Sequence, residues 1–410
     1  MSEASNVLRG NAVIGQSGGP TAVINQSLVG VIEALREHDA VQRILGAHHA
    51  VAGIVANDFI ELQDIPQDRL DRLALTPSAA LGSSRDKPDE QYCQRIFKTF
   101  EKNNVRYFFY IGGNDSSDTC KIVQEQAKKA NYELRAFHVP KTIDNDLVHN
   151  DHTPGFASAA KFVAQAFMGD NLDNKALPGI KINVVMGRHA GFLTAASALA
   201  RQHEGDGPHL IYVPEVPFDM DKFTAAVERT VERHGRCVIA VSEGIHDADG
   251  TPMAVKLAEQ SGQVERDAHG NVQLSGSGAL GDHLAEALKQ HFAARGEKAR
   301  VRADTFGYLQ RSFAGLYSHV DAEEAREVGR RAAGFALAGR EQGSVAIQRV
   351  SSRPYKVEYK LVRLEDVAGK TRTLDKTYIV DDCDISANYL EYLSPLVGEL
   401  PVIESLRVRR

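Results

Sequence analysis

The sequence predicts an α/β protein of two domains, each a mostly parallel β-sheet covered by helices on both faces. Three observations carry that expectation. Short apolar runs alternate with stretches of helical spacing, the arrangement of strand–helix–strand units. The alternation breaks at "HNDHTPGFAS" and then restarts. A chain of 410 residues also exceeds what one hydrophobic core ordinarily serves.

Taken in order, "NAVIGQ" (11–16) reads as a buried strand. "TAVINQSLVGVIEALREH" (21–38) follows as a helix, with Val23, Leu28, Ile32 and Leu35 at helical spacing. "RILGAHHA" is a second strand. "VRYFFYIGG" (105–113) is a third, followed by a helix through "DTCKIVQEQAKKA", and "LRAFHVP" (134–140) is the next. Beyond the break, a helix over 158–172 leads to the strands "KINVVMGR" (181–188), "HLIYVPE" (209–215), "RCVIAVSEG" (236–244) and "KARVRADTFGY" (298–308). The polar, glycine-punctuated segment 246–282 reads as an excursion over the surface. A helix over 322–340 precedes "GSVAIQRV" and a hairpin within "VEYKLVRLEDVAGKTRTLDKTYIV". The "AGKT" at 368–371 is no phosphate loop of the Walker type, because Leu364 stands where that pattern needs glycine; it reads as a turn of the hairpin.

A formal charge of −6 argues against a nucleic-acid or anionic-membrane partner. The four cysteines (Cys93, Cys120, Cys237, Cys383) form no CxxC pair, so neither a zinc site nor a disulfide framework is expected. Their usage fits a reducing compartment. "MSEASNVLRG" has no signal-peptide apolar stretch, and no run approaches 18 apolar residues, so a soluble, cytoplasmic protein is expected.

The polar motifs follow the apolar runs, where the carboxyl ends of strands belong: "QSGGP" (16–20), "GGNDS" (112–116), "PKTIDND" (140–146), "MGRHAG" (186–191) and "SEG" (242–244). Open parallel sheets bind ligands beyond those ends, and two facing domains would gather these loops around one cleft. Gly18 and Gly19 clear side chains from a strand-to-helix turn, so backbone N–H groups could meet an anion; any tight turn of this kind also favours glycine. Asp144 and Asp146 alternate on an extended segment beside the cation Lys141. Such acids could serve a metal bound to diphosphate, or a general base near a sugar hydroxyl, or merely cap a helix from an Asx turn. Arg188 offers a planar fork for phosphate, whereas the neighbouring His189 reads more simply as a structural residue. "FGYLQRS" (306–312) adds Tyr308 and Arg311.

Together, "SGG", "GGNDS", "PKTIDND", "MGRHAG", "SEG" and "GYLQR" occur in the order found in the phosphofructokinase family, which the chain resembles over roughly residues 11–320. The resemblance implies two Rossmann-like three-layer αβα domains. A phosphoryl-donor domain would span 1–155 with part of 320–375, and a fructose 6-phosphate domain 156–319 with part of 376–410. Asp144 matches the general base. Thr142, Ile143 and Asp144, Met186, Gly187 and Arg188, Glu243, and Tyr308, Leu309, Gln310 and Arg311 match the sugar-phosphate contacts. Gly18 and Gly19 match the donor-phosphate turn, and Arg85 in "GSSR" a donor-side arginine. A gap lies upstream of "VVMGR", where Lys181 is the near candidate for a sugar-phosphate arginine.

Within the family, ATP-dependent members typically read GGDGS and have glycine before TIDND. Here Asp115 and Lys141 occupy those two positions, a pair that resembles the pyrophosphate-dependent branch. A carboxylate facing the α-phosphate region would repel a nucleotide. Two charges about 4 Å apart cost roughly 4 kcal/mol at an effective dielectric near 20, about a thousandfold in binding. Pyrophosphate ends short of that region, and Lys141 could hold one of its oxygens. Asn114 stands at the family's magnesium position; a neutral carbonyl oxygen is the weaker ligand, so Asp115 or Asp146 would carry more of the Mg²⁺ charge. The resemblance implies a homodimer whose substrates are pyrophosphate and fructose 6-phosphate. The rivals are an ATP-dependent enzyme and a non-catalytic regulatory homologue. The chain lacks the GxGxxG of a dehydrogenase.

Overall fold

The structure, a computed structural model, describes residues 8–86, 88–261 and 279–406. The chain forms two compact units, Met1–Ser158 with Arg311–Arg372 and Ala159–Gln310 with Thr373–Arg410. The eleven strands that build the two main sheets are β1 (Gly10–Gln16), β2 (Val41–Ala47), β3 (Phe59–Glu61), β4 (Val105–Gly112), β5 (Arg135–Pro140), β6 (Ile180–Val185), β7 (Leu210–Tyr212), β8 (Cys237–Ser242), β9 (Val301–Thr305), β10 (Gln342–Ser352) and β11 (Tyr355–Val362).

The first unit holds a sheet in the order β11-β10-β5-β4-β1-β2-β3. Its five inner strands are parallel, while β3 and β11 close the edges antiparallel. Along β4 the two faces alternate with the two-residue period of a strand. Tyr107 and Phe109 meet Ile14, Phe137 and Val345 on one face. Phe108 and Tyr110 meet Val13 and Ala136 on the other. Because helices cover both faces, β1 and β4 read as continuous apolar runs. From β1 the chain moves to β2 on one side, and β4 then adds on the other. The point where strand order reverses therefore lies between β1 and β4, where doubly wound sheets place ligands.

The second unit carries an all-parallel sheet in the order β7-β8-β6-β9. Ile182, Val184, Ile239 and Val241 pack there with Phe223, Leu284 and Leu288. The returning C-terminal segment adds the helix Ala387–Val397, whose Tyr389 donates its hydroxyl to the Phe192 carbonyl at 2.5 Å.

Several local expectations change. The second strand ends at Ala47; His48 and His49 lie beyond it, and His49 and Ala50 both have φ of 57°. The helix after β4 starts at Asn114, which brings Asn114 and Asp115 into its first turn. The described parts of 246–282 include the helices Met253–Ser261 and Ala279–Ala294, seated by Met253, Leu257, Leu280 and Leu284; residues 262–278 lie outside the described residues. The hairpin is made by β10 and β11, not by 357–380. Leu364 and Val367 are buried at helical spacing, so a short helix follows β11, and Thr371 forms a bridge with Leu147. The antiparallel edge β3 and the helices Val51–Ala56, Gln67–Ala74 and Glu90–Lys102 had no reading from sequence. Among the described residues, no helix is long and apolar enough to cross a membrane.

Candidate active site

At the switch point of the first unit, the turns after β1 and β4 touch. Ser17 and Ser116 share a hydrogen bond of 2.5 Å between their hydroxyls. Gly18 has φ of 72°, a left-handed conformation that glycine adopts without strain. Its N–H donates to the Ser84 carbonyl at 3.0 Å, and Ser83 Oγ donates to the Gly18 carbonyl at 2.7 Å. This seats the turn against the loop that carries Arg85. The buried Lys141 lies beneath it, its Nζ donating to the Gly19 carbonyl at 2.6 Å. Arg311 belongs to this same unit, and a β-carbon at Gly19 would stand 3.1 Å from its Cζ. The sequence grouped Arg311 with the sugar contacts; in the fold it lies beside the donor turn.

Burial pushes the Lys141 ammonium down to about 8; Arg311 and Arg85 add to that, while Asp144 and Asp146 oppose it. Asp146 is pushed up to about 6, by burial and then by Asp144, against the pull of Arg372 and Lys141. Cations and carboxylates thus share one low-dielectric region, which is how functional sites perturb their groups. Asp144 is half-buried, and its N–H donates to Thr142 Oγ1 at 3.1 Å. Ile143 is buried, so any ligand contact from it would come through its backbone.

Asn114 donates Nδ2 to Asp146 Oδ2 at 3.3 Å, whereas its Oδ1 is buried without a hydrogen-bond partner among the described residues. A buried carbonyl oxygen left unpaired is costly, and beside carboxylates it makes a hard-oxygen donor set that suits Mg²⁺. Among the described residues no three of His, Cys, Asp and Glu converge on one point. Asp115 is exposed in the first helical turn.

In the second unit, the loops after β6, β8 and β9 meet at the carboxyl end of the sheet. Gln310 accepts from the Met186 N–H at 3.2 Å and donates to the Gly307 carbonyl at 2.8 Å, so its buried side chain ties two loops together rather than reaching out of them. Ser242 Oγ donates to the Gly187 carbonyl at 2.7 Å. A β-carbon at Gly244 would lie 2.0 Å from the Arg188 carbonyl, which explains the glycine of "SEG". Arg188, His189, Tyr308 and Leu309 are exposed, and Glu243 is half-buried. Lys181 lies near the opposite end of β6, ion-paired with Asp304, and does not join these loops.

The phosphofructokinase family model matches residues 11–335. The chain is 56% identical over 406 residues to the pyrophosphate–fructose 6-phosphate 1-phosphotransferase of Rhodospirillum rubrum, covering 98% of each. The chain belongs to the phosphofructokinase family. A crystal structure of the pyrophosphate-dependent phosphofructokinase from Marinobacter aquaeolei superposes with a TM-score of 0.83 at 33% identity, covering 96% of this chain and 94% of that one. The ATP-dependent 6-phosphofructokinase of Amycolatopsis methanolica is 31% identical over 341 residues, covering 80% of this chain and 69% of its own.

Three residues that brace the family motifs escaped the sequence reading. His138 donates Nε2–H to the Gly112 carbonyl at 2.8 Å, since a carbonyl only accepts, and its Nδ1 takes a hydrogen bond from Ser344 Oγ at 2.9 Å. Burial pushes it down to about 4, so it stays neutral. A histidine inside the apolar run "LRAFHVP" was the available signal. Glu215 accepts the N–H groups of Gly191 and Leu374 on one oxygen, both at 2.8 Å, at the end of "MGRHAG". Arg372 holds the "TIDND" loop through the carbonyls of Asn145 and Asp146. No local pattern marks either of the last two.

Proposed function

We propose that this chain transfers a phosphoryl group from pyrophosphate to the 1-hydroxyl of fructose 6-phosphate, reversibly, giving fructose 1,6-bisphosphate and phosphate. The observation that carries the reading is the buried Lys141 under the Gly18–Gly19 turn, flanked by Arg311 and facing Asp144 and Asp146. A buried ammonium with a lowered pKa is unfavourable until an anion arrives, and a diphosphate supplies that anion. High identity over nearly the whole length to a relative named for this reaction supports it.

In this reading, the backbone of Gly18 and Gly19, with Lys141, Arg311 and Arg85, binds the pyrophosphate. Arg188, Glu243, Tyr308, Leu309 and the backbone of Met186 and Gly187 orient the sugar phosphate, with Thr142 and Ile143 on the loop of the base. Asp144 takes the proton of the 1-hydroxyl as that oxygen bonds to the near phosphorus and the bridging P–O bond breaks. The second phosphate leaves with the bridging electron pair, stabilised by Lys141 and Arg311. Asn114 Oδ1 and Asp146 would hold Mg²⁺, with a contribution from Asp115. When bound, the metal supplies charge neutralisation on the diphosphate oxygens. Catalysis is then positioning plus electrostatic stabilisation. The exposed Asp115 discriminates against a nucleotide. The reading carries with it a cytoplasmic location and a homodimer; light scattering would check the dimer.

Initial rates with fructose 6-phosphate and Mg²⁺, comparing pyrophosphate with ATP on one preparation, test it. Activity with pyrophosphate alone is expected. Activity with ATP alone would overturn the donor assignment. Silence with both, from folded protein, would favour a non-catalytic sugar-phosphate-binding homologue.

A further inference from the structure

We propose that Arg372 is a positioning residue for the loop that carries Asp144, Asn145 and Asp146. The proposal rests on the phosphotransfer reading above and deepens it. Thr371 forms an antiparallel bridge with Leu147. The Arg372 N–H donates to the Asp146 carbonyl at 2.8 Å. From that anchored backbone the guanidinium reaches two further carbonyls: Nε donates to Asn145 O at 2.8 Å, and Nη2 to Asp151 O at 2.7 Å. A planar fork with several fixed N–H groups can span both; a lysine ammonium, a point charge on a flexible stem, would not hold the same two directions.

The two carbonyls belong to very different surroundings. Asp151 is half-buried and held from several sides. Its N–H donates to the Ile347 carbonyl at 2.8 Å, and its carboxylate accepts from Arg349 Nε at 3.1 Å and from His152 Nδ1 at 2.8 Å. His152 in turn donates Nε2–H to Glu324 at 2.5 Å. The other end is a sharp turn. Asn145 has φ of 59°, a left-handed conformation that asparagine tolerates better than most residues. It separates the two carboxylates, so the orientation of its peptide sets where Asp144 and Asp146 aim. Arg372 ties this peptide to the fixed Asp151 end and so extends the rigidity of the buried ion cluster to the proposed base. It also adds a positive charge within electrostatic range of Asp146.

A misplacement of about 1 Å at a reacting group costs on the order of a hundredfold in rate. The test compares wild type, R372K and R372A in steady-state kinetics with pyrophosphate, fructose 6-phosphate and Mg²⁺, with thermal unfolding and millimolar guanidinium rescue in parallel. The expected result is a loss of roughly ten- to a hundredfold in kcat for R372A, with KM for both substrates within about threefold of wild type. Guanidinium should restore R372A severalfold, and R372K should fall between. Wild-type kcat in R372A would overturn the proposal. So would a loss confined to KM, or a kcat loss that neither guanidinium nor R372K relieves. Should R372A fail to fold, R372K carries the test, since it keeps a long cationic side chain at this position; reduced kcat at unchanged KM is expected, and wild-type kcat overturns the proposal. Inactive wild type would overturn the phosphotransfer reading and this proposal with it, a result distinct from active wild type with an unaffected R372A.

Discussion

Replacing Lys141 with methionine should stabilise the unliganded protein while weakening its hold on pyrophosphate. Lys141 is 3% exposed, and the drop from its ordinary 10.5 to about 8 corresponds to roughly 3 kcal/mol of penalty on the charged form. Methionine has a similar length and no charge. It leaves the Gly19 carbonyl without its donor, a loss of about 1–2 kcal/mol. The difference leaves K141M more stable by about 1–2 kcal/mol near pH 7, a rise of roughly 2–8 °C in Tm for a domain of 150–250 residues. The sign depends on pH. The folded-state pKa lies below the unfolded one, so the unfolded wild type binds more protons between about 8 and 10.5. Wild-type stability therefore rises with pH across that window, and the advantage of K141M fades there. For the substrate the balance reverses. An ammonium about 4 Å from a phosphate oxygen contributes roughly 4 kcal/mol at an effective dielectric near 20, so kcat/KM for pyrophosphate should fall by up to about a thousandfold. In wild type the same quantity should decline about tenfold per pH unit above the Lys141 pKa of about 8, a limb absent from the residual activity of K141M. Thermal unfolding without ligand, and initial rates at varied pyrophosphate and pH, measure both arms. K141M that unfolds at or below the wild-type temperature at pH 7 would refute the buried-charge argument. An unchanged kcat/KM for pyrophosphate would refute the ligand assignment.

Other expectations concern neighbouring residues. D115G together with K141G should gain use of ATP; because Asp115 is exposed, the carboxylate's repulsion is worth about 1–4 kcal/mol, between the limits set by water and a partly screened surface. Rates with ATP and pyrophosphate on this double variant check it, and no gain with ATP would refute nucleotide exclusion by charge. D144N should lose on the order of a hundred- to ten-thousandfold in kcat with Tm unchanged, as befits loss of a general base; retained turnover would remove Asp144 from that role. His152 offers a test of stability against pH. Its burial alone would lower its pKa, but the hydrogen bonds and charges of Asp151 and Glu324 raise it to about 9. Its contribution to stability should therefore be complete below the ordinary value near 6.5 and lost as pH rises through about 9. Denaturant unfolding of wild type and H152N across pH 6 to 10 should show the two curves converging at the alkaline end.

What could be read from the sequence and what could not divides along the range of the interactions involved. β1, β4 and β5 are buried on both faces, so each centres on a largely apolar run whose identity needs no neighbour. The edge β3 is three residues long and largely solvent-facing, and carries no such signal. In the same way the chemistry-bearing residues occur in short stretches at strand ends, because a loop that must present several groups to one ligand does so from adjacent positions. Their supports obey a different rule. His152 and Glu324 are 172 residues apart, and Arg372 and Asn145 are 227 apart. Each partner alone resembles an ordinary charged residue of a polar segment, and only the fold brings the pair together. The same holds for the electrostatics of Lys141. Its type and place in "PKTIDND" suggested a phosphate ligand, but its lowered pKa comes from burial and from Arg311, which stands 170 positions away. A local motif can therefore name the groups that meet a substrate, whereas the free energy that tunes them is set by long-range packing. Variants at the distant struts, Arg372 and His152, accordingly separate the two contributions more cleanly than variants inside the motifs.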